Sequence, residues 1–327
     1  MDEDDSYDPD ADDDHDEDDH DHGHGEALPF EDDCRIAWQA LARLDLDHAR
    51  HHIASAIATR ADDPECDKLV AAFADLAGAD PLAFIPDEGL WYGLGALRAA
   101  LLVRAGRHDE AVPLLLACLA AVPDAPFVPW LRRWLDQPGV IAALDPEQVA
   151  VELTNCARHE PLGAALHELA RRIHDAHPDH DRLAFAAIKL ARLCWRYADA
   201  IAIGRAAIAR GAMPMAAIGL AGALRNDGDP EGAIAALREA LRLQPDNAGI
   251  LLDLGDLSLD LGRPADAVSA YEAALALDPD NAWARPSRLY ARWRVSGADD
   301  DAGALRAWAS SNPGDARAAE LVARLIS

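Results

Sequence analysis

Lysine is almost missing from this chain of 327 residues: Lys68 and Lys189 stand against 28 arginines. That bias reads as the mark of a GC-rich genome, and so of a bacterium, more than as arginine chemistry. Cysteine is sparse, and Cys34, Cys66, Cys118, Cys156 and Cys194 stand singly, without C-x-x-C spacing. Isolated cysteines in apolar surroundings are expected to be buried free thiols of a reducing compartment. No apolar run approaches the ~18 residues of a membrane span, which excludes a spanning helix on sequence grounds. The first residues also lack a signal-peptide pattern, so a cytoplasmic protein is expected. No stretch alternates with period two for long enough to nominate a sheet, while Ala and Leu dominate. An all-α chain follows.

Catalytic signatures are missing too. Gly93-Leu94-Gly95 has no strand before it and no third glycine after it, and neither a phosphate loop nor a nucleophile elbow is present. His167-Glu168 opens like the zinc motif H-E-x-x-H, but position 171 is Arg. Without a nucleophile paired to a base, the chain reads as a binder and not as an enzyme. A formal net charge of −28 disfavours nucleic acid, because the chain repels phosphate.

What is present is an echo with a period of 34 residues. The run from Asp229-Pro230-Glu231-Gly232-Ala233 to Leu243-Gln244-Pro245-Asp246-Asn247 returns as Arg263-Pro264-Ala265-Asp266-Ala267 to Leu277-Asp278-Pro279-Asp280-Asn281. Gly228 and Gly262, Pro230 and Pro264, and Pro245 and Pro279 keep the same spacing. A fixed period of this length marks a helical array, whose units bury their apolar faces only by stacking on neighbours.

The recurring residues resemble the tetratricopeptide repeat, whose pattern is W-x2-L-G-x2-Y, then A-x3-F, then P. Leu251-x2-Leu254-Gly255-x2-Ser258, Ala267-x3-Tyr271 and Pro279 fill one unit. Ala217-x2-Leu220-Ala221-x2-Leu224, Ala233-x3-Leu237 and Pro245 fill the one before. The match is clearest over 214–281. Asp181 to Met213 reads as a unit one residue short, and 315–326 as a polar-faced cap. Upstream, Gly106 to Pro123 copies the turn and second helix. Trp91-x2-Leu94-Gly95 then lies four residues too far from Ala111, which predicts a first helix lengthened by about one turn. The resemblance implies an all-α solenoid of roughly seven helix pairs, irregular over 34–146 and regular over the later part of 147–327, with a capping helix at its end.

In such repeats the first helix of each unit lines the ligand groove. Carried onto this chain, the resemblance nominates Leu252, Asp253, Asp256 and Asp260 in one unit and Gly222, Arg225 and Asn226 in the preceding one. Gly219 and Gly222 would open space for a close backbone approach. The unit before that offers Phe185, Lys189 and Arg192. Three carboxylates on one face would favour basic ligand side chains, unless they are only a solvated helix face. Relatives that clamp a C-terminal carboxylate have Lys and Asn where this chain has Leu252 and Asp256. The expected function is a non-catalytic adaptor that binds a partner protein or an extended peptide.

Residues 1–33 carry 18 Asp and Glu and no Lys or Arg, leaving 40 acidic against 30 basic residues in 34–327. Such a segment cannot bury enough apolar surface to order itself, so a disordered acidic tail is expected, with Phe30 anchoring the first helix behind it. Within it, His15, His20, His22 and His24 alternate with carboxylates, a composition that suits Zn(II), Ni(II) or Co(II). A metal-handling accessory protein is therefore the alternative function, against a merely solubilising tail or one that engages a basic partner. No other cofactor is implied. Two further histidine groups, His48/His51/His52 and His167/His174/His177/His180, have helical spacing but no fixed third ligand. Finally, 126–135 breaks the repeat rhythm. Trp130, Arg132 and Arg133 make it a candidate interface, whereas Phe127, Leu131, Trp134 and Leu135 form an apolar stripe that favours a core bridge.

Overall fold

The computed structural model describes residues 28–325 except Glu88 and Ala212. The tail histidines at 15, 20, 22 and 24 lie outside the described residues. Among the described residues every regular element is helical. The first half holds α1 (Phe30–Ala42), α2 (Leu46–Arg60), α3 (Pro64–Ala77), α4 (Tyr92–Arg104), α5 (His108–Ala121), α6 (Val128–Leu135) and α7 (Val140–Ala143), with a short 3-10 turn at Pro81–Phe84. The second half holds α8 (Pro146–Cys156), α9 (Glu160–Ala176), α10 (Asp181–Leu193), α11 (Tyr197–Arg210), α12 (Pro214–Asp227) and α13 (Pro230–Leu243). It ends with α14 (Ala248–Asp260), α15 (Pro264–Leu277), α16 (Ala284–Ser296), α17 (Asp299–Ser311) and α18 (Ala316–Arg324).

Local chemistry sets the helix starts. The side chains of Asp45, Asp63, Asp145, Asp229, Asn247 and Asp315 each accept from a backbone N–H in the first turn of the helix that follows. Pro64, Pro146, Pro214, Pro230 and Pro264 occupy a first-turn position, where no N–H is needed and φ is already helical.

The tight helix-to-helix turns share one geometry. Gly106, Gly228 and Gly262 have φ of 77°, 87° and 70°. Behind each, the next N–H returns to the preceding helix: Arg107 to Leu102 O (2.9 Å), Asp229 to Leu224 O (2.8 Å) and Arg263 to Ser258 O (2.8 Å). This is the left-handed helix ending that glycine permits. Trp195, at φ 61°, takes the same place between α10 and α11, with Arg196 N bonded to Ala191 O at 2.9 Å.

Helices pair as α1/α2, α4/α5, α10/α11, α12/α13, α14/α15 and α16/α17, α8 and α9 both pack on α10, and successive units stack, which makes an all-α solenoid. Its buried core runs without a break from Phe30 to Leu257. A smaller core joins Leu259, Tyr271, Tyr290, Leu305 and Leu321 at the C-terminal end. Close packing depends on small residues where helices cross: a Cβ on Gly255 would strike the Tyr271 ring.

Three expectations change. Helix α4 is not longer than its counterparts; it has 13 residues, as α14 does. The Trp91 motif starts one turn early because Trp91 is the N-cap of α4 and not an interior residue. Helix α1 begins at Phe30, inside the segment read as tail, because Phe30 and Asp33 are both buried. Trp130 is only 1% exposed, so it packs in the core with Leu131, Trp134 and Leu135 and presents nothing to a partner. Arg132 is exposed, and Arg133 makes a two-point ion pair with Asp67 (2.6 and 2.8 Å). The helical stripe of α6 buries its aromatic side and leaves Pro129 and the two arginines outside.

Candidate functional site

Helices α10, α12 and α14 together line a cavity of about 520 Å³. Its wall includes Phe185, Lys189 and Arg192 from α10, Ile218, Gly222, Arg225 and Asn226 from α12, and Asp253 and Leu257 from α14. A second cavity of about 400 Å³ is lined by Ile218, Gly249, Leu252, Asp253, Asp256 and Trp283. Ile218 and Asp253 belong to both, so the two are adjoining compartments of one groove. Residues nominated on separate helices thus meet around a common space.

The three carboxylates of α14 differ sharply in their surroundings. Asp256 accepts from Tyr271 Oη at 2.6 Å and Arg317 Nη2 at 2.7 Å, and its other oxygen accepts from Trp283 Nε1 at 3.1 Å. The Arg317 guanidinium also lies 4.5 Å from the centre of the Trp283 ring. Asp260 pairs with Arg225 at 2.6 Å. Asp253 has no ion-pair or hydrogen-bond partner among the described residues. Its carboxylate is reached by solvent yet recessed in the groove, and desolvation raises its pKa, with the nearby Asp256 charge adding to the effect. The expected three-carboxylate face is therefore reduced to one free acid, because two of the three are neutralised by arginines of the chain itself.

The opposite wall is cationic. Arg192 donates to Asn226 Oδ1 at 3.1 Å, and its Nε is buried without a partner. Burial pushes the Arg192 pKa down, and the Arg225 charge pushes the same way. Lys189 lies 5.9 Å from the centre of the Phe185 ring. Its pKa is lowered by desolvation, then by Arg158 and Arg192. Gly222 does not open room for a ligand backbone: a Cβ there would collide with the Arg192 guanidinium, which already fills the space. Gly219 is likewise packed against Ile188 and Phe185.

Within the two histidine groups, His52, His177 and His180 serve the fold. His52 Nδ1 lies 2.8 Å from the buried Asp33, which also accepts from Ser55 at 2.6 Å. His177 Nε2 meets Ile141 O at 2.9 Å, and His180 caps α10 by accepting from Leu183 N at 3.2 Å. No group of three metal-ligating side chains occurs among the described residues. Cys34, Cys66, Cys118 and Cys156 are buried free thiols, and desolvation pushes Cys66 and Cys156 up to about 12. A nucleophilic thiol needs the opposite shift.

Sequence reasoning overlooked Ile218, Trp283 and Arg317. Ile218 stands one period before Leu252, so the repeat itself marks it. Arg317 carries no such signal, because it reaches the groove from α18, beyond the last repeat.

No helix among the described residues is long and apolar enough to cross a membrane. The tetratricopeptide-repeat family model matches residues 196–248, 218–282 and 252–316. Among solved structures, PilW, a widely conserved type IV pilus biogenesis factor, aligns at 14% identity and a TM-score of 0.45 over 72% of this chain and 98% of its own. MamA from residue 41 onward, from Desulfovibrio magneticus RS-1, aligns at 16% identity and a TM-score of 0.39 over 60% and 98%. A thermophilic TPR protein of Thermus thermophilus aligns at 19% identity and a TM-score of 0.40 over 61% and 98%. No curated protein is significantly similar in sequence.

Proposed function

We propose, taking residues 196–316 as tetratricopeptide repeats, that this chain is an adaptor that binds an extended peptide segment of a partner protein and performs no chemistry on it. The observation that carries the reading is the two-compartment groove of α10, α12 and α14. Cavities of about 520 and 400 Å³ sit side by side, with Phe185, Ile218, Leu252 and Leu257 as apolar wall. Compartments of this size hold side chains of an extended ligand, and a preformed groove lowers the ordering cost of binding. The preference for a basic ligand side chain rests on Asp253, the α14 carboxylate left unpaired among the described residues.

The test is selection of short random peptides on the full-length chain. Binders are expected to carry apolar residues beside one Lys or Arg. Ile218→Glu should weaken them by about tenfold or more, a loss of at least ~1.4 kcal/mol. Asp253→Asn should remove the preference for the basic residue, and Asp260→Asn, already paired with Arg225, should change little. Binders indifferent to both Ile218→Glu and Asp253→Asn would reject the groove as the site.

A further inference from the structure

The described body of this acidic chain holds a conspicuous charge imbalance on α10. Lys189 and Arg192 are half-buried on α10, Arg158 acts on Lys189 from the turn before α9, and none of the three has a carboxylate within ion-pair distance among the described residues. Most other partly buried arginines do have one: Arg317 has Asp256, Arg172 has Asp136 and Arg50 has Asp47. Against Lys189 and Arg192 the cavity sets a single unpaired acid, Asp253, which influences Arg192 across the space without reaching it, while Arg158 is exposed outside the cavity. The buried, unpartnered Arg192 Nε marks the same wall. Desolvated cations of this kind bind an anionic group far more strongly than exposed ones do.

The same chain carries a surplus of the missing charge. Residues 2–21 contain 14 Asp and Glu and no Lys or Arg. We propose that the Lys189–Arg192 wall of the groove is the docking site for this acidic N-terminal segment, in the same molecule, whose carboxylates supply the counter-charges that Arg158, Lys189 and Arg192 lack.

Length permits it. Successive contacts run α1 to α2, α2 to α4, α4 to α5, α5 to α8 and α8 to α10. Five helix-to-helix steps of about 10 Å span roughly 50 Å. From Leu28 back to Asp12 is a chain that extends to roughly 55 Å. Being tethered, the segment meets the wall at an effective concentration that a free acidic peptide does not reach. The docked segment would lie beside Asp253 and compete with an external ligand. The proposal does not depend on what that ligand is.

The chain's two lysines make the test direct, since Lys189 and Lys68 report separately when limited acetylation is read by mass spectrometry. Lys68 is exposed and paired with Glu65, which raises its pKa, so it serves as the internal reference. The comparison is between the native full-length chain and a full-length chain in which the 14 acidic residues of 2–21 become Asn or Gln, changes that touch no described residue. With the neutral segment, Lys189 should be the faster of the two, since its pKa is lowered. In the native chain Lys189 should react about tenfold more slowly than in the neutral one, the effect of an opposite charge within ~4–6 Å. About 1 M salt, where the screening length is ~3 Å, should abolish the difference. Equal Lys189 rates in the two chains at low salt would overturn the proposal. Protection that fades on dilution would overturn its intramolecular form and assign the segment to a second copy.

Discussion

Arg317 and Asp256 lie 61 positions apart in sequence and meet at 2.7 Å, so the last helix closes one end of the groove. Arg317 is 11% exposed on its side chain and also donates to Ser287 Oγ at 3.1 Å. It stands where a basic ligand side chain was expected from sequence, stacked on Trp283 and bonded to a groove carboxylate. The groove proposed for the ligand is thereby confined to the compartments around Ile218 and Asp253.

Arg317→Ala should free α18 before anything else loosens, because a repeat array is stabilised locally. Asp256 would keep Tyr271 and Trp283 as donors, so a loss of about 1–3 kcal/mol is expected, not the larger cost of an abandoned buried charge. Hydrogen exchange of the α18 amides should accelerate about tenfold or more, while exchange in α12 and α13 stays as it was. Unchanged α18 exchange would show that the Leu321 contacts alone hold the helix.

Trp195 occupies the left-handed turn position that glycine fills at 106, 228 and 262, and it is 74% exposed. A bulky residue there carries strain of order 1–3 kcal/mol with little burial to offset it. Trp195→Gly should therefore stabilise the chain by about 0.5–1.5 kcal/mol in urea unfolding, allowing for glycine's greater freedom when unfolded. Trp195→Ala keeps the strained φ and should not stabilise. A gain in both variants would point to some cause other than the turn.

His174 is buried in α9 with an unpartnered Nδ1, and desolvation lowers its pKa below the ordinary 6.5, opposed by Asp175 and aided by Arg210. Below pH ~6.5 the unfolded chain takes up a proton that folded His174 still refuses. Its contribution to stability is therefore intact above that pH and falls away as the pH drops toward the lower folded value. Urea midpoints between pH 7.5 and 5.5 should fall less steeply for His174→Leu than for the native chain. Parallel profiles would remove His174 as a source of acid sensitivity.

The alternative of metal handling is decided on the four tail histidines. Zn(II) or Ni(II) titration of the tag-free full chain is expected to show weak binding, unaffected by His15, His20, His22 and His24→Ala together. Stoichiometric submicromolar binding lost in that variant would move the function to the tail.

Much of the repeat was legible because its determinants are local. Gly228, Pro230, Ala233 and Pro245 each act within one turn or one helix crossing, and the 34-residue period makes them visible twice. The groove was legible only in part. The period placed Lys189, Arg192, Asn226 and Asp253 on first helices, but whether a charge there is free depends on what stands opposite. Asp256, Asp260 and Asp253 look alike in sequence, yet Arg317 and Arg225 neutralise two of them and leave the third.

Sequence alone determined that the chain is all-α, that its units stack, and that its charge is concentrated at the N-terminus. Those properties follow from propensity, period and composition, which need no partner. Tertiary structure decided that Trp130 is core and that Gly222 houses a guanidinium. It also decided that α18 closes the groove and that Lys189 and Arg192 have no carboxylate partner among the described residues. Burial and ion pairing belong to two or more distant residues at once, and only the packed chain fixes which of them meet.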